Sequence, residues 1–105
     1  MSARRRAAVL VHGRRAGVLE ETGTGTYVFV YDDGYDGSPV SLTMPTTRSE
    51  YRFDAFPPFF DGLLPEGWQL EALLRAEKLD PTDFMGQLLS VGRDTVGSVT
   101  VEPIA

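Results

Sequence analysis

Within the stretch Phe59-Phe60-Asp61-Gly62-Leu63-Leu64-Pro65-Glu66-Gly67-Trp68, one helical segment must stop and another start, and this limits the possible folds more than any other part of the chain. Phe59, Phe60, Leu63 and Leu64 recur at the offsets that line one side of a helix, so the first segment is expected to be pinned to the core. Pro65 marks the break, since proline lacks an N–H and suits the first turn of a new helix. Gly67 allows the backbone to come close to another group. A second helix is then expected from Trp68 to Lys78.

At about 100° of rotation per residue, Leu70, Leu73 and Leu74 share one face of that second helix, and Trp68 points roughly 160° away from Leu70. Two readings of Trp68 follow. It caps the Phe-rich segment or packs under a loop, as large aromatics commonly do; or it stands exposed as an anchor for a partner, a role in which Trp often dominates binding energy.

A chain of 105 residues is expected to form one domain, residues 1–105, and to bury roughly 65% of its unfolded surface. The absence of cysteine removes disulfide frameworks, thiolate metal sites and cysteine nucleophiles, and agrees with a reducing cytoplasm. No apolar run approaches the ~20 residues of a membrane span, and the N-terminal arginines precede too short an apolar stretch for a signal peptide. The expectation is a soluble, cytoplasmic protein; the Met1 start and the Glu102–Ala105 end are those expected of a separate protein.

Arg4, Arg5, Arg6, Arg14 and Arg15 all precede the first acidic residue, Glu20, while the overall charge is −5. An acidic body repels phosphate, so only the Arg4-Arg5-Arg6 tip is left to attract nucleic acid, and three charges at a chain end are ordinarily solvated. No direct nucleic-acid binding is expected.

The remaining elements read in order. Ala7–His12 and Val18–Glu20 form a hairpin about a Gly13–Gly17 turn, with His12 as a half-exposed strand residue. Glu21–Thr26 is glycine-rich but runs into the strand Tyr27–Tyr31, whereas a phosphate loop requires a helix there. Asp32–Pro39 is a turn-rich loop without calcium-loop spacing. Val40–Met44 alternates as a half-buried strand, ended by Pro45. A polar connection, Thr46–Glu50, leads to a helical segment that Asp54 caps and that begins near Phe56. Asp80, Pro81 and Asp83 open a third helix with Phe84, Leu88 and Val91 as its buried stripe and Gly92 as its stop. Val96–Val101 is the last strand. The sum is an α+β fold: a small antiparallel sheet of about five strands with about three helices packed on one side.

No catalytic constellation emerges: one histidine, one lysine (Lys78, at a helix end), no nucleophile elbow and only scattered carboxylates. The chain is expected not to be an enzyme and to need no cofactor or metal.

Phe59–Gly67, followed by Gly92-Arg93-Asp94-Thr95-Val96-Gly97-Ser98-Val99-Thr100, resembles the N-terminal subdomain of HipA-type toxin kinases. The Gly13–Gly17 hairpin, Tyr27–Asp32 and Ser41–Pro45 extend the likeness over nearly all of residues 7–101. The ATP-binding core that such kinases carry is missing, so the organisation resembles the split form of the system, in which a HipS-type antitoxin corresponds to this subdomain, beside a HipT-type kinase toxin and a HipB-like helix-turn-helix protein. The resemblance implies an antitoxin that binds and inhibits a HipT-type serine/threonine kinase. Partner-binding residues would be Leu64, Pro65, Glu66, Gly67 and Trp68, with Arg93 and Asp94, otherwise a mutually paired turn, in second rank. Two other roles remain open: a structural subunit completing the kinase fold, and a co-repressor bridging the kinase to the DNA-bound protein.

Overall fold

The computed structural model describes residues 5–95 and 97–104. Five strands, β1 (Arg6–Val11), β2 (Arg14–Gly23), β3 (Thr26–Tyr31), β4 (Glu50–Phe53) and β5 (Val99–Ile104), form one antiparallel sheet in the order β4-β3-β2-β1-β5. The helices are α1 (Pro58–Asp61), α2 (Gly67–Glu77) and α3 (Phe84–Val91), and a 3₁₀ turn at Gly92–Asp94 follows α3.

Alternation along the strands sends Ala7, Val9, Leu19, Phe29, Tyr31 and Val101 to one face, where Phe60 of α1 and Met85 and Leu88 of α3 complete a single core. The opposite face carries Arg6, Arg15, Val18, Glu20, Val28 and Val30, and among the described residues no helix lies over it. The sheet is therefore covered on one side only, as the sequence predicts.

Several local expectations are corrected. The first hairpin closes on His12 and Gly13 alone, both at positive φ (51 and 79), the geometry that matches strand twist in a two-residue turn. Arg14 to Gly17 thus belong to β2, and His12 is an exposed turn residue. Val40–Met44 is not a strand: it folds into a turn with one isolated bridge, Ser41 to Met44. The fourth strand is instead Glu50–Phe53, inside what reads as a polar connection and a helix start; Tyr51 enters the core and Arg52 faces out. The helix α1 is a single turn preceded by Pro57, and Asp54 does not cap it. Leu63 and Leu64 still pack on the core, held by i→i+3 bonds to Phe60 and Asp61 (3.0 and 3.1 Å).

For α3 the cap is Asp83, which accepts from Gly86 N at 3.0 Å, while Asp80 closes a local turn onto Thr82. Of the expected buried stripe, Leu88 is fully enclosed, Val91 is half-buried and Phe84 lies at the exposed first turn. Met85 and Leu88 are inside with the Gln87 side chain, whose amide donates to Pro81 O at 3.1 Å, whereas Phe84 is 37% exposed. Gly92 is not a left-handed stop (φ −58). A Cβ there would stand 2.4 Å from Val101 O, so glycine allows the turn to lie on β5. That last strand starts at Val99, later than expected, and runs on through Pro103; of the expected Val96–Val101 strand, Val96 lies outside the described residues.

Arg5 is tied down. Its guanidinium donates to both carboxylate oxygens of Glu21 (3.0 and 2.9 Å) and both of Asp83 (3.2 and 2.8 Å), joining the end of the central strand β2 to the start of α3. It is therefore not part of a solvated basic tip. The same hydrogen bonds hold the Asp83 carboxyl below the usual aspartate range. A depressed folded-state pKa contributes stability above the unfolded value, near 3.9, and that contribution disappears as pH falls through the folded value. Asp83→Asn keeps an acceptor for Gly86 but loses the charge. It is expected to cost about 1–2 kcal/mol at pH 7, discounted for partial exposure, and progressively less as pH falls through the lowered folded-state value. Urea unfolding of both proteins across that range measures the difference.

Candidate functional site

The corner between α1 and α2 is built by backbone geometry. Leu64 is half-buried against the core and Pro65 is half-buried beside it. Pro65 precedes the helix rather than entering its first turn. Glu66 is extended (φ −130, ψ 164) and makes no side-chain cap bond; its carbonyl accepts from Leu70 N at 3.4 Å. Gly67 turns the chain with a φ of 60, and a Cβ there would meet nothing within 4 Å. Within this chain the glycine therefore serves the left-handed turn, not a close approach.

Trp68 follows at once, and it is 75% exposed. The capping reading of this residue is thereby excluded. Rotation places Glu71, Ala72 and Arg75 on the same outward face, and all three are exposed. On the inner face Leu70, Leu73 and Leu74 are only half-buried, and no residue of α2 is fully buried. The helix packs chiefly on α3. It ends on Lys78, itself left-handed (φ 54), whose N–H donates to Leu74 O. A lightly seated helix bracketed by two left-handed residues thus presents the chain's single tryptophan to solvent, next to the carboxylates of Glu66 and Glu71.

Arg93 and Asp94 lie on the 3₁₀ turn, which packs on β5 and α3. They do not pair with each other: Arg93 Nε lies 3.5 Å from Glu102 Oε1, across to β5, with both side chains well exposed. Among the described residues no hydrogen bond or ion pair joins either of them to the Trp68 corner. Leu64 to Trp68 thus form one continuous corner, while Arg93 and Asp94 are carried by a different element, the 3₁₀ turn against α3 and β5.

Two surface features are missing from the sequence reading. A broad groove runs between the Thr22–Gly25 hairpin and the start of α3, with Phe56 and Phe84 on its wall and the Arg5–Glu21–Asp83 cluster at its base. The charged groups there already satisfy one another. The second is Leu42, 95% exposed at the tip of the Ser41–Met44 turn. A correct turn assignment at residues 41–44 would have revealed it.

Fold and corner together define a small α+β module that displays one aromatic side chain on the outer face of a weakly seated helix. A solved structure described as the N-terminal domain of HipA toxin superposes with a TM-score of 0.78 at 28% identity, covering 100% of this chain and 97% of that one. An uncharacterised protein of Haemophilus influenzae is 32% identical over 98 residues, 93% of this chain and 92% of its own length. Residues 7–102 match the HipA N-terminal domain family, and the chain belongs to that family.

Proposed function

We propose that this protein acts in a toxin–antitoxin setting as the antitoxin, binding a HipT-type serine/threonine kinase and suppressing it, with a HipB-like DNA-binding protein as third member of the assembly. Membership of the HipA N-terminal domain family supports the setting. The exposure of Trp68 on the outer face of α2 is the observation that carries the mode of action. The tryptophan enters the nucleotide or substrate pocket of the kinase, while the left-handed turn at Gly67 and the extended Glu66 set its angle of approach. Inhibition by occlusion needs no catalytic step from this chain and no cofactor.

The coverage of the HipA N-terminal domain structure from end to end favours one further reading, in which the chain completes the kinase fold and supports its activity. Kinase activity that rises on addition of this protein would carry that alternative.

Trp68 is the only tryptophan, so its fluorescence reports this site alone. A Trp-free variant of a HipT-type kinase partner is expected to shift the emission to the blue and to protect it from iodide quenching. Tight binding with emission and quenching unchanged would remove Trp68 from the interface.

A further inference from the structure

Among the described residues Leu42 is the most exposed of the large hydrophobic side chains, yet the segment that carries it is held by hydrogen bonds and by two buried legs. Met44 N donates to Ser41 O at 3.0 Å, closing the turn, and Ser41 Oγ accepts from Thr43 N at 3.2 Å. Both legs are buried, through Val40 and Met44. Between them the Tyr31 hydroxyl accepts from Val40 N at 2.9 Å and donates to Met44 O. Tyr51 donates to the next carbonyl, that of Pro45, at 2.5 Å. Burial raises the Tyr31 phenol above the usual tyrosine range, so the hydroxyl keeps the proton it donates.

Single exposed leucines are common on protein surfaces. This one differs in two respects. Its turn is ordered before any partner arrives, which lowers the entropic cost of docking. It also lies in the longest stretch of the chain without an ionisable side chain, Gly37 to Thr47, in a protein of which 24% is charged. Depletion of charge around an apolar anchor is the composition of an interface centre.

We infer that the Ser41–Met44 turn is a second docking point for the kinase partner, with Leu42 entering an uncharged apolar hollow on that protein; this rests on the function proposed above. A turn tip covers far less than the ~800 Å² per partner of a standard interface. It therefore works as one anchor within a larger contact, which favours the kinase over a second copy joined at this point alone.

The test is the affinity of Leu42→Asp and Leu42→Ala for the HipT-type kinase partner proposed above, with thermal midpoints measured in parallel. Leu42→Asp is expected to weaken binding at least tenfold and Leu42→Ala several-fold, both with midpoints unchanged because the side chain lies outside its own core. Affinities within twofold of wild type, while Trp68→Ala still loses binding, would overturn the second docking point and leave the proposed function standing. A wild-type protein that does not bind the kinase would overturn both. Kinase affinity that is unchanged, with a self-associated form that Leu42→Asp dissociates in sedimentation, would instead assign the turn to contacts between copies.

Discussion

Phe60→Ala is expected to destabilise the protein by about 3–5 kcal/mol, the cost of emptying a fully enclosed aromatic site. Phe60 has no exposed surface; its ring lies 6.2 Å from that of Phe29 in the sheet and 5.2 Å, edge-on, from Phe59. Within α1 only Phe60 is fully buried, with Phe59 and the following Leu63 and Leu64 packed partly against the core, so its removal takes away the main seat of that turn. The loss is a large part of the about 5–15 kcal/mol that stabilises a domain of this kind, and the thermal midpoint should fall by roughly 15–30 °C. It should also disorder the Leu64–Trp68 corner, since the chain enters that corner directly from α1. Calorimetric unfolding checks the magnitude; a loss below about 1.5 kcal/mol would mean that α1 is not seated on the sheet as described.

The effect of Trp68→Ala should be the reverse: no change in stability and a large change in binding. At 75% exposure the side chain contributes little to its own fold, so the thermal midpoint should stay within error of wild type. Loss of a central anchor tryptophan costs at least ~2 kcal/mol of binding energy, about 30-fold in Kd. Trp68→Phe should recover part of that, because a smaller aromatic still fills an apolar pocket. Titration calorimetry with the kinase measures both. If instead Trp68→Ala unfolds more easily and binds as well as wild type, the residue is structural.

The sequence was most legible where one local signal decided the outcome. The run Tyr27–Tyr31 lies wholly within β3, the start and end of α2 differ from expectation by a single residue at each end, and the outward direction of Trp68 follows from helical rotation alone. It failed where distant groups decide. Val40, Leu42 and Met44 alternate as in a strand, but the Tyr31 hydroxyl binds both legs of the segment and turns it back on itself. The short strand Glu50–Phe53 carries two charged residues and forms because β3 offers it an edge. The last strand runs past the expected end at Val101 and through Pro103, because β5 is an edge strand, where a missing N–H is tolerated. At the candidate site, Leu70, Leu73 and Leu74 were correctly read as one face; how loosely that face would be seated was not legible, because it depends on the position of α3.

Autophosphorylation and substrate phosphorylation by the HipT-type kinase, with and without this protein, test the account most directly, with Trp68→Ala run beside wild type. Wild type is expected to suppress both activities at stoichiometric ratios, and Trp68→Ala, at the same concentration, to restore them. Kinase activity that is unchanged or increased by wild type, or suppressed equally by Trp68→Ala, would contradict it.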